Sequence, residues 1–271
     1  MSGYISHSTG FKAISTNLGA NATVYAGLPM DPSIYFANPE EAENFEVGFK
    51  KTFSNGYLNM SFFHMAVEGY QSNLFIGTGF NLVNIGEQTN KGVEIDSLFF
   101  LNENFVVTFA ASYIDATYND FKNGPCDRTF VPPASDDCPI VNGGPARVKD
   151  FTGRRPSGVP ELAITVSGTY TFDLTENMTG YIRGEYVYED EYQATDAVPV
   201  EVPGALRKVG TLNASLGVKD SASGFSLMLW GRNINDDEFI YTGFNVPGSP
   251  GSYAGYPVVP KMWGLTLSRE F

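Results

Sequence analysis

The chain has 271 residues, 29 of them glycine, with 42% hydrophobic and 17% charged residues, and a formal net charge of −13. That balance argues against a nucleic-acid partner, because a phosphate-binding face needs clustered Lys and Arg and the 17 basic residues are spread along the chain. No stretch approaches the ~20 apolar residues of a transmembrane helix, so the chain is expected to cross a membrane only as a closed barrel, and the opening MSGYISHSTGFKAIS does not read as a secretory leader.

Taken in chain order, ten segments alternate apolar and polar residues with the period of two of a pleated strand. They fall at 3–14, 43–54, 56–69, 89–101, 104–118, 159–173, 177–191, 208–219, 224–234 and 260–271. Each is near the ~9–11 residues of a tilted membrane strand. The pattern is plainest in LAITVSGTYTF, where Leu162, Ile164, Val166, Tyr170 and Phe172 alternate with Ala163, Thr165, Ser167, Thr169 and Thr171. In the last segment Trp263, Leu265, Leu267 and Phe271 oppose Gly264, Thr266, Ser268 and Glu270, with Arg269 alone interrupting the apolar row. Four connections are short and rich in Asn, Asp and Gly: Ser54 to Gly56, Leu101 to Asn104, Asp173 to Asn177 and Asp220 to Gly224. Between them lie long ones at 15–42, 70–88, 119–158, 192–207 and 235–259. Short and long alternate strictly, as in barrels with short periplasmic turns and long extracellular loops. The expectation is an all-β fold, an antiparallel transmembrane β-barrel in one domain spanning residues 1–271, whose last strand descends to the periplasm. The loop alternation opposes a soluble β-sandwich.

Charges sort the faces. Arg183, Glu185 and Glu189 share one parity of their strand, and Ile182, Tyr186 and Tyr188 the other. An Arg or Lys facing lipid at the midplane costs ~2–4 kcal/mol, so the charged parity should face a watery lumen. Arg183, Glu185 and Arg232 are therefore candidates to line the lumen and touch whatever fills it, with a purely structural lumen network as the favoured alternative. Tyr181, Tyr186, Tyr188, Tyr192, Trp230 and Trp263 lie near strand ends and read as interfacial girdles. The loop aromatics Tyr70, Phe75, Phe80, Tyr241, Phe244, Tyr253 and Tyr256 are candidates for ligand capture, since rigid rings give contact area at low entropic cost. Packing of loop on loop accounts for them equally well.

Catalytic chemistry is not expected. His7 and His64 are the only histidines, lie in predicted strands expected to be far apart, and read as wall or interfacial residues. No Gly-x-Ser-x-Gly, His-Glu-x-x-His or phosphate-loop motif occurs. Acidic runs at Glu40, Glu41 and Glu43, at Glu189, Asp190 and Glu191, and at Asp236, Asp237 and Glu238 lack the ordered spacing of a calcium loop. No metal, cofactor or catalytic residue is assigned. The competing functional reading is a complete small barrel with a protease or lipase rim, which needs a group of Asp, His or Ser at the loop side.

The segment NPEEAENFEVGFKKTFSNGYLNMSFFHMAVEGYQ (38–71) resembles a strand–turn–strand of TonB-dependent outer-membrane receptors, with Pro39-Glu40 before Glu46, Gly48 and Lys50. Further similarities follow in order: YISHSTGFKA (4–13), VNIGEQTNKGVEID (83–96) with Gly92 and Glu94, ASYIDATYNDF (111–121), TGRRPSGVPELAITV (152–166), LWGRNINDDEFIY (229–241) and the closing PKMWGLTLSREF. Departures are Ile14-Ser15 in place of Gly-Gly and Pro260-Lys261 in place of Pro-Arg. The family has an N-terminal plug and TonB box, absent from this sequence, and about twice this number of strands (a family trait; compare). The resemblance therefore implies the C-terminal barrel part of a siderophore-receptor-like protein of the bacterial outer membrane, expected as an open sheet. It implies energy-coupled uptake of a scarce, bulky ligand such as an iron–siderophore or corrinoid. Its expected partners are outer-membrane lipid and lipopolysaccharide, a small metal chelate, the TonB complex acting through the plug, and the barrel assembly machinery, which would read the terminal Phe271. Cys126 and Cys138, the only cysteines, lie in the longest loop; an oxidising outer surface and an even count favour a disulfide, worth ~3 kcal/mol in the chain-entropy account.

Overall fold

The computed structural model describes residues 1–16, 36–76, 79–122, 124–125, 148–196, 198–246, 249 and 251–270. In order the strands are β1 (Ser2–Lys12), β2 (Ser15–Thr16), β3 (Phe36–Ala37), β4 (Glu40–Phe53), β5 (Gly56–Glu68), β6 (Gln71–Ile76), β7 (Gly79–Asn84), β8 (Glu87–Asn102) and β9 (Phe105–Asp120). They continue with β10 (Gly124–Pro125), β11 (Val148–Lys149), β12 (Leu162–Asp173), β13 (Met178–Gln193), β14 (Leu206–Asp220), β15 (Phe225–Arg232), β16 (Ile240–Asn245), β17 (Tyr253–Pro257) and β18 (Met262–Arg269). Ten of them form one sheet in the order β1-β4-β5-β8-β9-β12-β13-β14-β15-β18. Their pairings are antiparallel throughout.

These are the ten expected segments, the widest departures being Glu40 against 43 and Leu162 against 159. The alternation makes the strands and the turn residues end them. At the tightest turn Phe53 pairs with Gly56 across Ser54 and Asn55, and Asn55 Nδ2 donates to the Phe100 carbonyl at 3.0 Å, tying two neighbouring turns together. The sheet is open: among the described residues β1 and β18 each have a single neighbour.

Register separates the faces. One cross-strand row runs Phe105, Tyr170, Ile182, Leu216, Leu229 and Leu265 over six strands. A row on the other face runs Ser2, Lys50, Asn59, Asp96, Ala110, Thr165, Val187 and Thr211. Leu162, Ile164 and Val166 lie on the face of Leu265 and Leu267, as expected. Along β15 the apolar Leu227 and Leu229 are exposed while Ser226 and Met228 are half-buried, so the sheet curls with its apolar face outward. From Val93 to Leu101 on β8 that face spans ~26 Å along the strand, or ~20 Å after a tilt of about 40°, close to the ~25 Å apolar band of membrane barrels.

Three features depart from expectation. Tyr186, Tyr188 and Trp263 lie on the apolar face as girdle residues should, but Tyr181, Tyr192 and Trp230 share the parity of the polar face. Their type suggested an interface, and their position opposite Gly217, Arg207 and Gly264 assigns them to the other side. Second, His7 and His64 flank Phe45 in a single cross-strand row, the His7 ring stacked on Phe45 at 4.4 Å and its Nε2 2.8 Å from Glu43 Oε1. They remain two strands, roughly 10 Å, apart. Third, the long connections carry ribbons of their own, β2-β3, β6-β7, β10-β11 and β16-β17. A compact apolar cluster of Ile85, Tyr118, Phe121 and Phe151 lies at this loop end, with Tyr70 and Val83 against it.

Candidate functional site

On the polar face β1, β4, β5 and β8 bring together Tyr4, Glu46, Lys50, Asn59, Glu94 and Asp96 around a recess of about 460 Å³, continued by Ala110, Ser112, Ala163 and Thr165. The recess exists because the strands beyond β8 present small side chains where the register calls for lumen residues. The Tyr4 hydroxyl donates to Glu46 Oε1, and Asn59 Nδ2 donates to both Asp96 oxygens at 3.1 and 3.3 Å. Lys50 Nζ lies 5.7 Å from the Tyr4 ring centroid. Among the described residues no cation pairs with Glu46, Glu94 or Asp96. Three carboxylates against one ammonium make the recess a seat for a cationic group.

The lumen candidates separate into two places. Arg183 Nη2 lies 2.9 Å from Glu185 Oε2, Arg183 Nη1 donates to Thr169 Oγ1 at 3.3 Å, and Asn213 Nδ2 donates to Glu185 Oε1 at 3.3 Å. This is a satisfied side-chain network. Arg232 lies apart on β15, its guanidinium 5.4 Å from the Trp230 ring centre. That ring lies across Gly264, where a Cβ would meet it at 2.1 Å, and its Nε1 donates to Thr266 Oγ1 at 3.1 Å.

Sequence reasoning missed Arg207. Its Nη2 is 3.0 Å from Glu189 Oε2, and its guanidinium lies 5.5, 5.0 and 4.8 Å from the ring centres of Tyr192, Phe239 and Tyr241. A β-bulge between Glu189 and Tyr192 brings these groups together, and the polar-face parity of Arg207 was hidden because adjacent Lys208 has the same charge. The available signal was the pair itself, since consecutive strand residues point to opposite faces.

The loop aromatics fall into three groups. Tyr241, Phe244, Tyr253 and Tyr256 share the β16-β17 ribbon, where the Phe244 and Tyr256 rings lie 5.8 Å apart. Phe75 and Phe80 are cross-strand partners in β6-β7, their side chains lying outside the described residues. Tyr70 packs on the apolar cluster, and burial, then the charges of Glu40 and Asp196, push its phenol upward. Asp196, in the connection after β13, is half-buried beside Tyr118, Ser157 and Arg154; desolvation there raises its carboxyl, against the hydrogen bond from Ser157, the charge of Arg154 and the hydrogen bond from Tyr118. Cys126, Cys138 and Phe271 lie outside the described residues.

Residues 1–234 match the family model described as TonB dependent receptor-like, beta-barrel. No curated protein sequence matches the chain. Among solved structures it is similar to the ferric yersiniabactin uptake receptor FyuA from Yersinia pestis, with 16% identity over 99% of this chain and 35% of that one and a TM-score of 0.69. The siderophore receptor PiuA from Acinetobacter baumannii gives 16% identity over 98% and 33%, with a TM-score of 0.63. The ferric preacinetobactin receptor BauA from the same organism gives 14% over 99% and 34%, with a TM-score of 0.58. These likenesses concern the fold, and the chain spans about a third of each of those structures. With the family model covering most of its length over the same two-faced antiparallel sheet, the chain belongs to the TonB-dependent receptor β-barrel family.

Proposed function

We propose that the chain is part of the wall of a bacterial outer-membrane receptor for energy-coupled uptake of a scarce, bulky metal chelate, of which iron–siderophores are the leading class. The observation that carries the reading is the sheet itself: one face apolar and outward, the other polar and carrying a recess, in a family of receptors and transporters rather than enzymes. In this reading residues 1–271 are one partial barrel domain, and the recess at Glu46, Glu94 and Asp96 receives basic groups of the plug that fills the lumen. Arg183, Glu185 and Arg232 line the same passage. Tyr241, Phe244, Tyr253 and Tyr256, with Tyr70, Phe75 and Phe80, supply ring surface for the ligand at the loop side. In the same reading the wall sits in outer-membrane lipid and lipopolysaccharide, TonB acts through the plug, and the assembly machinery reads Phe271.

Radioiron uptake by iron-starved cells, with and without the gene for the full-length protein, tests the reading. Each of a panel of purified ferric catecholates and hydroxamates is supplied in turn, with an uncoupler as the energy control. Loss of uncoupler-sensitive uptake of at least one chelate is expected. Uptake unchanged for the whole panel, together with unaltered growth under iron restriction, would overturn iron–siderophore transport.

A further inference from the structure

The wall side of the Arg207 cluster is fixed and its loop side is open. Glu189 Oε2 accepts the Tyr192 hydroxyl at 2.7 Å and lies 3.0 Å from Arg207 Nη2, which sets the plane of the guanidinium. Tyr192 is 7% exposed and the Arg207 side chain 15%, whereas Tyr241 is 59% exposed. The guanidinium lies 4.8 Å from the centre of the Tyr241 ring, and among the described residues the Tyr241 hydroxyl has no hydrogen-bond partner. The ring is therefore steadied on one face by the cation and bare over most of the rest.

The chain enters the β16-β17 ribbon at this point. Phe239 and Tyr241, two residues apart, both meet Arg207, while Ile240 between them turns the other way, where a Cβ on Gly204 would come within 2.8 Å of its Cγ1. The Phe239 carbonyl accepts the Val258 amide at 2.9 Å and closes the base of the ribbon. One cation thus ties that base to Glu189 and Tyr192 of β13. Arginine suits the task because its flat guanidinium stacks on rings while its edge pairs with a carboxylate. Lysine, a compact hydrated charge, can keep the pair but not the stack. A ring held in place before a ligand arrives needs no ordering on binding, and affinity rises accordingly.

We propose that Arg207 is a positioning residue for chelate capture, holding the Tyr241 ring and the base of the β16-β17 ribbon in the orientation that receives the ligand. The inference rests on the receptor reading above, and Arg207 acts through Tyr241. Radioiron uptake by cells carrying the full-length protein, measured against concentration for each ferric catecholate or hydroxamate that the native protein takes up, tests it. Arg207→Lys should raise the half-saturating concentration about tenfold, the size of the ordering cost of one ring, and leave the maximal rate and the amount of protein in the membrane unchanged. In a Tyr241→Ala background the same change should matter less than about twofold, because its route to the ligand is gone. Glu189→Gln, which loosens the guanidinium and spares the rings, should act in the same direction as Arg207→Lys. Without ligand, trifluoromethyl-phenylalanine in place of Tyr241 should give one fluorine resonance beside Arg207 and a shifted or split one with Arg207→Lys. Native affinity in Arg207→Lys, a loss undiminished by Tyr241→Ala, a loss traced wholly to less protein in the membrane, or an unmoved fluorine resonance would each overturn the proposal. Native protein that takes up no chelate of the panel would overturn the receptor reading, and the fluorine resonance would then decide the positioning by itself.

Discussion

Asn233 follows β15 and holds the turn that carries Asp236, Asp237 and Glu238. It is 4% exposed and adopts a positive φ of 48°. Its Nδ2 donates to the carbonyls of Asp237 at 2.8 Å and Val259 at 3.2 Å, and its Oδ1 accepts the Asp237 amide at 2.7 Å. Asn233→Ala removes all three bonds, about 1 kcal/mol net each, and replaces a residue that tolerates the left-handed region with one that does not, at a further cost of about 1 kcal/mol. A loss of about 4 kcal/mol is therefore expected. Asn233→Gly avoids the backbone cost and should be milder, the difference reduced by the entropy of glycine in the unfolded chain. Asn233→Asp keeps the acceptor but turns a carboxylate toward two carbonyls, and should be the worst of the three. The assay is urea unfolding of the full-length protein in lipid vesicles, followed by tryptophan emission, since Trp230 and Trp263 lie in the strands on either side of the turn. An Ala variant losing less than about 1 kcal/mol, or an Asp variant as stable as Gly, would refute the account.

Three further outcomes are expected. With the native cysteines replaced, Ser249→Cys in the full-length protein should react with an impermeant thiol reagent on whole cells and Ser223→Cys should not; the reverse pattern would invert the topology. Non-reduced protein from outer membranes should be lighter than reduced protein by one pair of hydrogens through a Cys126–Cys138 bridge, and two alkylatable thiols in that material would exclude it. Asp196 has a folded pKa above its ordinary value of 3.8, so folding retains the proton more strongly than the unfolded chain does. Its contribution should be greatest below pH 3.8, fall as pH rises through the folded pKa and stay flat above it. Asp196→Asn should abolish that fall in the urea midpoint, and a midpoint profile unchanged by the substitution would remove the burial argument.

The ten strands were legible because lipid on one side and water on the other impose alternation over their full length, and Asn, Asp and Gly mark the turns. The ribbons β6-β7 and β16-β17 were not, because they are short and cross no membrane. Trp230 was misassigned from its residue type, although its parity with Ser226 and Met228, opposite Leu227 and Leu229, already placed it on the polar face. The acidic recess could be seen only in part. Glu46 and Glu94 stand out within their motifs, but their proximity depends on the register of β5 between β4 and β8. Arg207 required the bulge in β13, which alternation along a single strand does not reveal.

Rings lying across glycines have a consequence for assembly. Tyr4 lies over Gly48, Tyr181 over Gly217 and Trp230 over Gly264, where a Cβ would meet the ring at 2.5, 2.3 and 2.1 Å. Each ring therefore fits one partner position on the adjacent strand. A slip of one residue would bring Val47 or Phe49 opposite Tyr4 and turn the strand's polar residues toward lipid. The three contacts are spread over the β1-β4, β13-β14 and β15-β18 seams, so the sequence carries a key and a slot at both ends of the sheet and in its later half. Strands entering a membrane in the wrong alignment would find the slot filled, and the error would be rejected while the hydrogen bonds were still few enough to break.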